Sequence, residues 1–308
     1  MSTANVFLTR NLLLLVLTLL MAPCSRAASL VCHFADEQGK ALRNVESRLT
    51  PTGSEAHQFG KSDNKGDTTF KHLIAGSYEL LAQLKDHVPL KWTVPVSEDQ
   101  TLELTLMSLQ AFSQIEKEVA DALNAQLYSK AVALLDRPLK IYPQDAWLHD
   151  ELARAYAGML EEPKALAEAD KAAQLDPQFN GTKTELQRFM LRERGQKALQ
   201  NQDFVMAAGL FEKWTKLDPQ NGKAYYALAL AYGHQRDFKL ALAALDKALE
   251  LEPENASFEV SLAILYHQFI KDYKKALEHY QLFKKKGGLD MRLDGWVNEC
   301  QLAASKTK

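Results

Sequence analysis

The chain has 308 residues, of which 46% are hydrophobic and 25% charged, with a formal net charge of −2. That length fits two domains more readily than one, and the composition is that of ordinary globular protein. The near-neutral balance gives no basis for nucleic-acid binding or for attraction to an anionic membrane.

The first feature in chain order is a signal for export. Arg10 precedes an apolar run of 11 residues from Leu12 to Ala22. A bilayer span needs about 20 residues, so this run reads as a signal-peptide core instead. Ser25-Arg26-Ala27 supplies a small-x-small cleavage site before Ala28, which makes residues 1–27 a signal peptide and the mature chain periplasmic or extracellular. The alternative is a lipoprotein anchored through Cys24, although Pro23 stands where such signals carry a small residue. Membrane contact is expected only if Cys24 is lipidated or the signal stays uncleaved. Cleavage leaves Cys32 and Cys300. Two cysteines at opposite ends of the chain make no disulfide framework and read as buried thiols, with a bridge between them left open. There is no Cys-x-x-Cys from which a redox or zinc site could start.

Residues 28–108 carry short alternating runs: 30–34, 68–71, 78–82, 92–96 and 101–106. β-branched and aromatic residues mark them as strands, with turn residues between. Asp63-Asn64-Lys65-Gly66 predicts a hairpin, because Asn and Gly tolerate positive φ. Together these features predict a small antiparallel sandwich. The order of Gly39, Val45, the Asp63–Asp67 turn, Phe70, Leu73, Gly76, Tyr78 and Leu80 resembles the carboxypeptidase regulatory-like (transthyretin-like) β-sandwich. That resemblance implies a core containing Phe70, Leu73, Tyr78 and Leu80. It also implies an accessory role, since no zinc peptidase accompanies the module. Asp63, Asn64 and Asp67 read as turn residues rather than a calcium loop.

From Leu109 the apolar spacing changes to three and four, the helical period. Ser113 and Glu116 stand at capping-box spacing. The most regular stretch is Tyr225–Pro253. Leu228, Ala231 and Tyr232 form one stripe and Leu242, Leu245 and Leu249 a second, on two helices joined near Asp237. Pro143, Pro177, Pro219 and Pro253 follow one another at spacings of 34, 42 and 34. Ala131, Ala165, Ala207 and Ala241 each precede one of them by 12 residues, and Tyr128, Phe204 and Phe238 precede three of those alanines by three. A 34-residue, two-helix period with these residues resembles the tetratricopeptide repeat (TPR) family.

Residues 109–289 therefore divide into five TPR-like repeats: 112–143, 145–177, 180–219, 222–253 and 256–288. Irregularities are expected at Pro138, at the eight-residue insertion and Trp214 of the third repeat, and at one extra residue between the helices of the fifth. Lys284-Lys285-Lys286 reads as a complement to a helix C-terminus. Residues 290–305, with Leu293, Trp296, Val297 and Cys300 on one stripe, read as a C-terminal capping helix. The expected fold class is a small all-β sandwich followed by an all-α superhelix, an α-solenoid.

The chain shows no His-Glu-x-x-His, Gly-x-Ser-x-Gly, Walker A or Gly-x-Gly-x-x-Gly sequence. Its eight histidines are scattered, with none paired at ligand spacing. No enzyme, cofactor or metal is expected. In the TPR superhelix the first helices of successive repeats line a concave groove. The resemblance places Asp150, Arg154, Arg192, Gln196, Tyr226, Leu230, His234, Val260 and Ile264 in that groove. Mixed charge near Arg154 and Arg192, grading to apolar Tyr226 and Ile264, suits a partner protein or extended peptide with an acidic and an apolar end. The lysine-and-asparagine clamp of chaperone-binding relatives is not visible at these positions, which argues against an Hsp90-type or Hsp70-type partner. The reading is an exported scaffold, in an envelope assembly by family resemblance. The alternative is glycan or cell-wall binding through the sandwich, with Trp92 as an exposed aromatic.

Overall fold

The computed structural model describes residues 27–306. The apolar run and Cys24 lie outside the described residues. Two compact units are formed, the first ending at Leu152 and the second beginning at Ala153.

The first unit contains seven strands among the described residues: β1 (Ala28–Ala35), β2 (Glu46–Pro51), β3 (Gln58–Lys61), β4 (Asp67–Leu73), β5 (Gly76–Gln83), β6 (Leu90–Val96) and β7 (Gln100–Thr105). They form a three-stranded sheet, β4-β1-β7, and a four-stranded sheet, β3-β2-β5-β6. Alternation decides which side chains face inward. Leu30, Cys32 and Phe34 of β1 are fully buried, as are Phe70, Leu73 and Leu80, and Tyr78 is buried with them. The sandwich is not wholly antiparallel. β1 and β7 pair in parallel, from Leu30 opposite Gln100 to Ala35 opposite Thr105. A parallel pair needs a long crossover, and the five intervening strands provide it. β2 and β3 were not among the strands read from the sequence, because Glu46, Arg48 and Lys61 give their outer faces a loop-like polarity.

The Asp63–Gly66 turn is also not a hairpin. It carries the chain from β3 in one sheet to β4 in the other. Its local chemistry is nonetheless that of a tight turn. Asp63 Oδ1 accepts from the N–H groups of Lys65 at 2.7 Å and Asp67 at 3.0 Å. Gly66 has φ of +86°, and a Cβ there would lie 2.4 Å from the Phe34 carbonyl oxygen. The next crossing, β4 to β5, is pinned by Tyr78. Its hydroxyl donates to the Ile74 carbonyl at 2.8 Å and accepts the Ile74 N–H at 3.1 Å.

Two helices, α1 (Leu109–Asn124) and α2 (Tyr128–Ile141), complete the first unit with the start of α3 (Ala146–Gly158). The N-cap of α1 is Ser108, which accepts from the Ala111 N–H. Ser113 and Glu116, read as a capping box, therefore lie inside the helix. The same Ser108 hydroxyl donates to Glu37 at 2.9 Å, tying the helix start to the loop after β1. Tyr142, just beyond α2, reaches back to the sandwich: its hydroxyl accepts the buried Met107 N–H at 2.7 Å. Burial pushes the Tyr142 phenol up to about 12, so it stays protonated. The first helical hairpin thus packs on the sandwich, with Pro138 buried inside α2.

The second unit continues with α4 (Glu162–Leu175), α5 (Thr182–Gln200), α6 (Phe204–Leu217), α7 (Gly222–His234), α8 (Phe238–Leu251), α9 (Ala256–Ile264), α10 (Tyr273–Lys285) and α11 (Leu293–Lys306). The third repeat holds both irregularities that its length allows. A 3-10 turn occupies Pro177–Phe179, and α5 runs to 19 residues. Trp214 is buried beside Phe211, 6.2 Å between ring centroids. Room for that pair comes from Gly195, where a Cβ would sit 2.4 Å from the Phe211 ring. In the fifth repeat the extra residue is not in the turn between helices. It is absorbed by a π-helical segment, Leu265–Ile270, at the end of the first helix.

The basic run at the end of α10 does more than face the helix terminus. Lys286 Nζ lies 2.5 Å from Glu259 Oε1 and also donates to the Pro253 carbonyl. Glu259 is 3% exposed, and its other oxygen meets His279 Nδ1 at 2.7 Å. α11 closes the stack, with Leu293 and Cys300 buried and Trp296 stacked on Tyr280. Cys32 and Cys300 are both free and buried.

Two outcomes test these packing arguments. Gly66→Ala combines left-handed strain with a backbone collision and should destabilise the chain by about 2 kcal/mol or more, read as a lower thermal-unfolding midpoint by circular dichroism. Lys286→Met leaves a buried carboxylate short of its cation and should cost about 3 kcal/mol. Adding Glu259→Leu should recover part of that loss, since replacing a buried ion pair by apolar groups is near neutral.

Candidate interaction groove

Each helical hairpin closes in the same way. One residue per turn adopts a left-handed conformation: Gln126, Leu160, Gln202, Arg236 and Lys271, with φ between 59° and 65°. In the last three hairpins an aspartate follows and caps the second helix. Asp203 accepts from the Met206 N–H, Asp237 from Leu240 and Asp272 from Lys275. The periodic alanines Ala131, Ala165, Ala207 and Ala241, with Ala276 in the fifth repeat, are all at most 1% exposed. A methyl group at that position lets neighbouring helices approach closely.

The periodic aromatics build an edge along the second unit. Phe204 at the start of α6 stacks on His234 at the end of α7, 4.7 Å between centroids and 8° between planes. One repeat later, Phe238 at the start of α8 meets Phe269 of the π-helical segment at 4.9 Å. Inside this edge lies an open, mostly apolar cavity of ≈ 320 Å³ between α7 and α9, floored by Ala241 and Leu245 of α8. Leu230, His234, Ile264 and Phe269 line it. Leu230 is 37% exposed and Phe269 48%, so the cavity presents apolar surface to solvent.

The residues expected in the groove separate into three groups. Leu230, His234 and Ile264 come together in this cavity. Tyr226 and Val260 are instead engaged in packing. The Tyr226 ring stacks on Phe258 at 4.9 Å and its hydroxyl accepts from Ser261 Oγ at 3.2 Å, while Val260 joins the apolar cluster around Tyr280. Arg192 holds Glu193 at 2.8 Å and lies over the Phe189 ring at 5.4 Å. Arg154 of α3 and Gln196 of α5 are exposed elsewhere on the second unit and do not line the cavity. Asp150 is 2% exposed within the first unit, so the reading of it as an accessible groove residue is corrected. Phe269 and Gln268 line the cavity and were missed, because the residue absorbed by the π-helical segment shifts them out of the expected register. Trp92 belongs to the inward-facing set of β6 and is half-buried, so it offers no exposed platform for a glycan.

Among the described residues, no three or more His, Cys, Asp and Glu side chains cluster as metal ligands, and no helix is long and apolar enough to cross a membrane. His267 is buried against the Tyr280 hydroxyl at 3.2 Å. In the sandwich, His33 contacts Asp67 at 2.7 Å, a hydrogen bond that raises its pKa above the ordinary imidazole value.

The tetratricopeptide repeat model matches residues 222–255, the hairpin of α7 and α8. No curated protein matches the chain. Among solved structures, MamA residues 41 to the end from Desulfovibrio magneticus RS-1 is 20% identical, with a TM-score of 0.39, over 57% of this chain and 94% of that one. The complex of the yeast Sti1 TPR2B domain with pHsp70 is 20% identical, with a TM-score of 0.36, over 38% of this chain and 98% of that one. The first TPR of Spaghetti (RPAP3) bound to the HSP90 peptide SRMEEVD is 16% identical, with a TM-score of 0.37, over 39% of this chain and 94% of that one. Likenesses at this level carry no argument about partners. The matched repeat and the recurrent hairpin geometry together make the helical part of this chain a TPR-like α-solenoid that follows a β-sandwich.

Proposed function

We propose that the chain is an exported, non-catalytic scaffold that holds a partner protein or extended peptide in the groove of its repeat stack, as part of an envelope assembly. The observation that carries this reading is the open apolar cavity between α7 and α9. A monomer gains nothing by leaving Leu230 and Phe269 exposed at a concave site, whereas a partner's apolar side chain would bury there. A site of this kind recognises a side-chain anchor on an extended or helical segment. The export reading draws on the apolar run before Ala28 and the small-x-small site at Ala27.

The sandwich is read as an accessory module of the carboxypeptidase regulatory-like type. Support comes from the Asp63–Gly66 turn, the buried Phe70 and the corner held by Tyr78. Its tie to the first hairpin through Glu37 and Tyr142 joins it to the start of the helical part and suits an accessory role rather than a separate reader.

Two measurements test the proposal. Affinity capture from the source cell with the mature chain as bait should lose its principal partner about tenfold or more in a Leu230→Glu, Phe269→Glu variant that keeps its circular dichroism spectrum. Equal recovery by that folded variant rejects the groove. Intact-mass analysis of the chain from its native host should give an N-terminus at Ala28. A chain beginning at Met1, or one beginning at a lipidated Cys24, rejects the export route proposed here.

A further inference from the structure

The left-handed turn residues differ among repeats in a way that their backbone role does not require. Any residue that tolerates positive φ serves, and the first three turns use the neutral Gln126, Leu160 and Gln202. Only the two hairpins that form the cavity use cations there, Arg236 and Lys271. Each stands two residues beyond a cavity-lining side chain, Arg236 after His234 and Lys271 after Phe269. Lys239 and Lys274 follow in the first turns of α8 and α10, where a helix N-terminus disfavours positive charge.

These four cations have no hydrogen-bond or ion-pair partner among the described residues. Asp237 and Asp272, next in sequence to Arg236 and Lys271, keep their charge but accept from the N–H groups of Leu240 and Lys275 and make no ion pair with the four cations among the described residues. Arg236, just past the C-cap of α7, and Lys271, the C-cap of the π-helical segment, complement those helix ends, whereas Lys239 and Lys274 at helix starts gain nothing of that kind. The turn edge beside the cavity presents unpaired positive charge next to exposed apolar surface, on a chain whose overall charge is −2.

We propose that the occupant of this groove is an acidic amphipathic protein segment. One large apolar side chain fills the cavity beside Leu230, Ile264 and Phe269. The carboxylates that lie to one side of that anchor meet Arg236 and Lys271 at the turns. The proposal rests on the groove reading above and adds the chemistry and polarity of the partner. It also moves the acid-reading end away from Arg154 and Arg192, since Arg192 is paired with Glu193 and neither lines the cavity. Arginine in a turn offers a planar fork to a carboxylate, and lysine a mobile point charge. Charges on the rim of a site govern association rate and salt dependence more than they add packing energy.

The test is a set of short synthetic peptides carrying one central Leu or Phe, with carboxylates placed before the anchor, after it, or replaced by lysines. Binding to the mature chain is measured by fluorescence anisotropy at low and high salt. The expected result is about tenfold tighter binding of one acidic orientation over the lysine set, shrinking as salt screens the charges. In an Arg236→Gln, Lys271→Gln variant the preference should vanish, while an uncharged anchor peptide still binds as it does to the parent chain. Peptides that bind through Leu230 and Phe269 without any preference for acid overturn this inference and leave the groove intact. No binding of any anchor peptide overturns the groove itself. An acid preference that persists in the Arg236→Gln, Lys271→Gln variant overturns the assignment to the turns.

Discussion

A two-helix hairpin of this length buries one face of each helix and leaves the other apolar stripe open. That constraint governs the helical part of the molecule. Stacking on the next hairpin is what covers the open stripe, and close stacking needs a small residue at the contact. The alanines at 131, 165, 207, 241 and 276 meet that need, and all are shut away from solvent. The turn must then reverse the chain in few residues. A left-handed residue followed by an aspartate cap does so in the last three hairpins, leaving the second helix in fixed register with the first.

Departures from the repeat have local remedies, and the remedies shape the surface. The bulk of Phe211 and Trp214 in the third repeat is offset by Gly195 on the facing helix. The added residue of the fifth repeat widens the end of its first helix into a π-helical segment, which carries Phe269 to the ring of Phe238 and to the mouth of the cavity. The cavity is thus a consequence of unequal repeats: a fifth unit in strict register would present different side chains there. The buried Glu259 of α9 meets His279 of α10 and Lys286 just beyond it, tying those two helices together.

In the first unit the corresponding constraint is the attachment of a helix start to a sheet. Ser108 caps α1 and also binds Glu37, and Tyr142 satisfies the buried Met107 N–H. Unmade hydrogen bonds at such a seam would cost about 1–3 kcal/mol each. The sandwich and the first hairpin form one compact unit for this reason, and the boundary of that unit falls within α3 rather than at the end of the last strand.

Sequence alone determined the elements whose cause is local. The helical character of the repeats, the buried alanines and the apolar stripe of Leu293 to Cys300 all follow from spacing, because each is set by a period of a few residues. The core of the sandwich, from Phe70 to Leu80, was legible for the same reason. Tertiary structure decided what depends on partners distant in the chain. The parallel pairing of β1 with β7, the crossing of sheets at Asp63–Gly66 and the burial of Asp150 leave no short-range signature. The groove shows the division most clearly. Leu230, His234 and Ile264 share a helix register and line one cavity, but Phe269 joins them only because one extra residue is absorbed as a π-helical segment. A repeat fixes where a surface is by periodicity, while its irregular units, resolved only by packing, fix which side chains that surface presents.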